Sequence, residues 1–278
     1  MFITLYFFSI YLSLYYIYKQ LISLKLENLF VKNWIKRILI PVDPSVRYLE
    51  LPFITSKLLN ITKDGSKILD ISSNKLVAFF LAARKSNILI YAIDLFEKEI
   101  LEWRKLTGNK YNSVKLEKAD CLNLPYKKNS FDIIYSICVF DHLPGDHDDI
   151  KALSEVFRVL KRKGVFIISL PMSADDEIIY HGKDVYELNR KVKKGKVFFG
   201  RKYTLSRLNN HFANSSKFNL LQQKFIVTRS EKLVPVLLHP ITNLLLWPVI
   251  PFLAHLNYYL SDTPPEKYGS AIIILQKK

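Results

Sequence analysis

Between residues 67 and 171 the chain alternates short, almost continuously apolar runs with stretches of helical period, and few folds tolerate that order. The apolar runs are KILDI (67–71), NILIYAID (87–94), FDIIYSICVF (131–140) and GVFIISLP (164–171), while SVKLEKAD (113–120) alternates. Between them, FEKEILEWRKL (96–106) has helical spacing. DDIKALSEVFRVLKRK (148–163) places Ile150, Leu153, Val156, Phe157 and Leu160 on one helical face. Strands that are apolar on both sides need cover on both sides, and crossover helices supply it. The expected fold class is α/β: a Rossmann-like, seven-stranded, mostly parallel sheet with helices on both faces. A helix capped by Thr204 is predicted over 204–213, and strands at about 217–228 and 268–277. Pro171 is expected to stop the strand before it.

Two apolar segments lie outside this pattern. Residues 1–18, MFITLYFFSIYLSLYYIY, carry no charge. As a helix they would extend about 27 Å, barely the thickness of a hydrocarbon core. The segment has no basic n-region or small-residue cleavage site, so it is not a secretory signal. Its tyrosines suit an interface, and Lys19, Lys25, Lys32, Lys36 and Arg37 follow it, which would leave the rest of the chain on the cytoplasmic face. A membrane span, a helix lying in the interface and a helix packed on the domain all remain open. The second segment, Leu233 to Leu260, has no formally charged residue, but Pro235, Pro240, Pro248 and Pro251 break any long helix. It is expected to be a broken helical hairpin inserted before the last strand. The domain division is therefore 1–44, an apolar N-terminal helix and basic linker, and 45–278, the α/β domain with insertion 233–260.

In a doubly wound sheet, ligands bind where the strands' carboxyl ends diverge. Asp70 is expected at the end of the first strand, Asp94 at the second and Asp120 at the third. An acid ending the second strand can accept both hydroxyls of a ribose, and one ending the third can accept an adenine amino proton.

The stretch ADCLNLPYKKNSFDIIYSICVFDHL, followed by EVFRVLKRKGVFIISLP, resembles the methyltransferase type 11 group of class I, S-adenosylmethionine-dependent methyltransferases. The matching residues include Asp120, Leu124, Pro125, Ser130, Phe131, Asp132, His142, Leu143, Glu155, Arg158 and Gly164. The resemblance implies S-adenosylmethionine as cofactor, held by Asp70, Ser72, Asn74, Asp94, Leu95, Asp120, Cys121, Ser136 and Cys138. It implies His142 as the base with Asp141 beside it, and Tyr180 and His181 near the substrate side. The chain departs from the family's D-x-G-x-G-x-G loop, because ILDISSNKL puts Ser72, Asn74 and Leu76 at the glycine positions. Glycine there permits positive φ and close ligand approach, and Leu76 is expected to crowd the helix start. Two readings follow: an altered but working cofactor loop, or a catalytically silent, membrane-tethered binding or scaffold module.

The formal charge of +16 favours polyanionic surroundings, nucleic acid or anionic lipid. Residues 183–207 hold nine basic residues and two acids, but few aromatic groups for stacking bases. No N-P-P-Y-like tetrad follows the fourth strand, so a nucleic-acid acceptor is disfavoured. The acids of DHLPGDHDD (141–149) suit the start of the next helix, and no metal is expected. Cys121 and Cys138 show no metal or disulfide spacing. The expected activity is methyl transfer to a small-molecule or lipid-linked acceptor at the cytoplasmic membrane face. Composition leaves the oligomeric state open.

Overall fold

The computed structural model describes residues 4, 7, 8 and 11, then 45–108, 110–184, 192–193, 195–239 and 249–278. In chain order it forms α1 (Arg47–Ile61), β1 (Lys67–Ile71), α2 (Leu76–Arg84), β2 (Leu89–Asp94), α3 (Glu97–Thr107), β3 (Val114–Lys118) and β4 (Phe131–Ile137). A 3-10 turn (Phe140–His142), α4 (Asp148–Val159) and β5 (Leu160–Ser173) follow. The remainder comprises β6 (Glu177–His181), β7 (Val192–Lys193), β8 (Lys196–Lys202), α5 (Leu205–Leu208), β9 (Phe218–Thr228), α6 (Leu233–Leu238), α7 (Ile250–Asn257), β10 (Tyr258–Ser261) and β11 (Tyr268–Lys277).

The main sheet runs β10-β9-β11-β5-β4-β1-β2-β3, and β6-β8-β7 form a second, smaller sheet. β1 pairs parallel with both β2 and β4, and β4 with β5, while β5, β11, β9 and β10 pair antiparallel in turn. The winding therefore reverses between β1 and β4, the switch point at which sheets of this topology form their ligand crevice. Burial explains the unbroken apolar strands. One core, containing Leu58, Phe79 and Trp103, covers one sheet face, and another, containing Phe140, Val156 and Phe212, covers the other.

The sheet has eight strands where seven were expected. The extra one, β10, comes from the end of the apolar insertion, where Tyr258 to Ser261 pair with Phe225 to Thr228 at the sheet edge. The rest of the described insertion is the two short helices α6 and α7; residues 240–248 lie outside the described residues. α4 ends at Val159, earlier than its apolar period suggests, because Leu160 already pairs with Phe131. Nor does Pro171 stop β5. The β4 ladder ends at Ser169, so the missing N–H of Pro171 interrupts no bond to β4, and β5 continues to Ser173. Thr204 does cap its helix, accepting the Arg207 N–H at 3.2 Å, but after Leu208 the helix widens into a π turn over Asn209–Ala213.

Most of residues 1–44 lies outside the described residues. Phe8 packs its ring edge-on against Phe80 at 5.3 Å, whereas Phe7 is 62% exposed. Among the described residues, no helix is long and apolar enough to cross a membrane.

Candidate active site

The crevice is built by three loops at the carboxyl ends of β1 to β3 and a fourth after β4. After β1, the buried Asp70 accepts the Ser73 N–H at 2.9 Å, closing a tight turn. Ser72 holds φ +51°, so a serine adopts the left-handed backbone that glycine would ordinarily supply. The Ser73 hydroxyl accepts the N–H of Ile137 at 2.9 Å, tying the β1 loop to the end of β4. Just ahead of α2, the Asn74 side chain accepts the Leu76 N–H at 3.0 Å. Leu76 does not crowd the crevice; it is buried in the α1–α2 core. The helix start thus needs no glycine, because its leucine is turned into the core.

Asp94, at the end of β2, accepts the Phe96 N–H at 3.1 Å, and Leu95 beside it is exposed. Burial raises the carboxyl pKa of both Asp70 and Asp94, and the nearby Lys75 opposes that rise. Asp120 is not a strand end, since β3 stops at Lys118. It stands one turn later, accepting the Leu122 N–H at 2.8 Å, and the Ala119 N–H bonds the Asp94 carbonyl at 3.0 Å. The three acids therefore follow the predicted order along neighbouring loops. Cys121 is buried there, its thiol pushed up to about 12 by burial.

Ser136 is fully buried, its hydroxyl 3.3 Å from the Ile71 carbonyl, so it braces β4 against β1. Cys138 takes φ +48° and turns its thiol to the Glu50 carboxylate of α1, at 3.5 Å. Burial first, and the Glu50 charge next, hold this thiol well above its ordinary pKa. Glu50 is itself buried, accepting a hydrogen bond from Ser270 at 2.7 Å and pairing with Arg47 at 3.6 Å. The sequence gives no signal for Glu50, because its partner Ser270 lies 220 positions away.

Asp141 and His142 occupy the 3-10 turn after β4. His142 Nδ1 lies 2.7 Å from the Phe199 carbonyl, which can only accept, so this nitrogen carries the proton. Its Nε2 is 3.3 Å from Asp141 Oδ2. Both ring nitrogens thus have partners within the protein. The approach is close: a Cβ on Gly200 would come within 3.1 Å of Nδ1. Asp141 is 5% exposed, its pKa raised by burial against the opposing effect of His142, and among the described residues its Oδ1 has no hydrogen-bond partner. A buried carboxylate oxygen left open at a strand's carboxyl end is an acceptor awaiting a donor. Tyr180 and His181 belong to β6 rather than a loop, and the His181 ring meets Phe199 at 4.1 Å, beside the His142 contact.

Residues 69–168 match the family model described as a methyltransferase domain. The chain is 31% identical over 145 residues to the ubiquinone/menaquinone biosynthesis C-methyltransferase of Rickettsia bellii, covering 50% of this chain and 57% of that one. The match therefore spans little more than half of that relative's length. Among solved structures, an S-adenosylmethionine-dependent methyltransferase from Methanosarcina mazei superposes with a TM-score of 0.51 at 14% identity, over 80% of this chain and 96% of that one. The geranyl diphosphate C-methyltransferase of Streptomyces coelicolor, solved with S-adenosyl-L-homocysteine, gives 0.52 at 10% identity, over 83% and 79%. Such low identities establish the fold, and the family match adds the motif region on the same strands. Residues 69–168 therefore match a methyltransferase domain, on a fold shared with solved S-adenosylmethionine-dependent methyltransferases.

Proposed function

We propose that this chain transfers a methyl group from S-adenosylmethionine to a small-molecule or lipid-linked acceptor at the cytoplasmic face of a membrane. The observation that carries the reading is the buried, unpartnered Asp141 Oδ1, set one strand from the acid-lined cofactor crevice. When bound, S-adenosylmethionine supplies an electrophilic methyl group on a sulfonium. Asp94 would hold the ribose, and Asp120 the adenine side. Asp141 takes the acceptor's proton at Oδ1, and burial makes it a stronger base than an exposed carboxylate. His142, anchored on Phe199, fixes the other oxygen. Methyl transfer in line from a sulfonium needs little beyond this positioning and a base. Incubation of the protein with labelled S-adenosylmethionine and fractionated membrane extract tests the activity and identifies the acceptor.

Cofactor binding has its own test. Asp94→Ala should weaken S-adenosyl-L-homocysteine by roughly tenfold to a hundredfold, the loss of a charge-assisted hydrogen bond. Calorimetry on both proteins reads this directly. No heat from the wild type at millimolar ligand would instead indicate a catalytically silent module.

An exposed apolar surface supports action at a membrane. Leu233 and Val236 on α6, Phe252 and Leu256 on α7, and Leu260 on β10 are all exposed, Phe252 by 62%. Isolated exposed leucines are ordinary, but five on adjoining elements suit an interfacial contact. The matched Rickettsia relative is named for ubiquinone/menaquinone biosynthesis, which is consistent with an apolar acceptor. Joint replacement Phe252→Asp and Leu256→Asp should weaken liposome binding, read by flotation, by at least about a hundredfold, from about 1.5–3 kcal/mol lost per apolar side chain. The circular dichroism spectrum should stay unchanged, because both side chains already face outward. Undiminished flotation would remove the membrane contact from the reading.

A further inference from the structure

Lys75, at the start of α2, folds its side chain back beneath the cofactor loop. Its Nζ is 3.4 Å from Asp94 Oδ2 and 3.8 Å from Asp70 Oδ2, and it donates to the Ser73 carbonyl at 2.9 Å. The residue is 0% exposed. A buried ammonium is tolerated only where charges of opposite sign surround it, and these two carboxylates meet that condition.

That arrangement has a consequence for the ligand. The Asp94 side chain is 8% exposed; one oxygen accepts the Phe96 N–H and the other faces Lys75. A ribose diol reaches this carboxylate only if some group leaves. The backbone around it is held by the β1–β2 ladder, by Ser73 N–H to Asp70 and by Ile137 N–H to Ser73. Moving those atoms would strand buried polar groups. Lys75 is held only at its tip, on a flexible four-carbon stem, and regains full hydration once outside; the Asp70 it leaves behind keeps the Ser73 N–H, and burial already favours its neutral form.

We propose that Lys75 is a resident occupant of the cofactor's ribose seat, expelled to solvent when a nucleoside diol takes its place on Asp94. The inference rests on the cofactor reading above and adds a built-in competitor to it. It also assigns a task to the missing glycines: the loop is shaped to hold its own cation, with Ser73 and Asn74 keeping the turn closed around it. Affinity for the cofactor is then lowered by the fraction of molecules in which Lys75 is already out.

The wild-type protein provides the test. Amines are acetylated with an N-hydroxysuccinimide ester, with and without saturating S-adenosyl-L-homocysteine, and each lysine is followed by mass spectrometry. Lys75 should be protected in the free protein and react at least about tenfold faster with ligand, as expected for a population shift from closed to open. The half-exposed Lys118 should react equally in both samples. Ligand that binds by calorimetry while Lys75 stays protected overturns the proposal and leaves the cofactor reading intact. Ligand that does not bind at all overturns both. Lys75→Ala, where its circular dichroism spectrum is native, should bind S-adenosyl-L-homocysteine at least about tenfold more tightly. Equal or weaker binding by that folded variant counts against expulsion. Should the variant not fold, the wild-type labelling decides alone.

Discussion

Replacing Asp141 by asparagine is expected to lower methyl transfer by about a hundredfold to ten-thousandfold, the usual contribution of a positioned general base. The amide keeps the shape of the carboxylate but cannot take a proton at Oδ1. Affinity for S-adenosyl-L-homocysteine should stay the same, because the Asp141 side chain pairs with His142 and not with the acids of the crevice. Label incorporation into the membrane-extract acceptor and calorimetry on the same preparations separate the two effects. The wild-type rate should fall with decreasing pH above the ordinary carboxylate range, since burial raises the Asp141 pKa. His142→Gln should leave a smaller defect, as the histidine acts through the carboxylate it orients. Equal rates for Asp141→Asn and wild type would remove Asp141 from the chemistry.

The second large effect concerns stability. Lys75→Met preserves most of the stem's volume but leaves Asp70 and Asp94 buried without their shared cation. Removing one partner of a buried ion pair costs about 3–5 kcal/mol, a large share of a domain's total stability. The pH dependence has a definite sign. Burial already holds both acids above the ordinary value of 3.8 in the folded protein, and Lys75 is the main group opposing that rise. Without it the folded state binds protons more readily than the unfolded one. The variant therefore gains stability as pH falls through the raised pKa values towards 3.8, and is weakest at neutral and alkaline pH. Urea unfolding of both proteins at pH 8 and pH 5 measures the difference. A loss of the same size at both pH values would mean that volume, not charge, is what the site needs from Lys75.

Much of this protein was legible in its residues alone. Strand and helix periods arise from burial on one or two faces, a local property, so KILDI, NILIYAID and FDIIYSICVF announced their strands. The acids Asp70, Asp94 and Asp120 marked the sheet edge at which β1, β2 and β3 end, because a parallel sheet places successive carboxyl ends side by side. The eighth strand was hidden, since Tyr258–Ser261 is as apolar as the insertion it ends and only pairing with β9 distinguishes it. Leu76 in the core, Glu50 bonded to Ser270 and the doubly held His142 were equally hidden. Each depends on contacts between segments far apart in the chain. Lys75 is the instructive case. Its sequence position, between one acid and the next, was visible throughout, but a lysine there could equally face water. Its burial against both carboxylates follows from the turn that Ser72 and Ser73 impose, and only packing in three dimensions decides it. Local pattern determined which elements form and where the strands' carboxyl ends lie, because periodicity along the chain is one-dimensional. Tertiary structure decided which charges meet in that edge, because pairing energies depend on distance and desolvation.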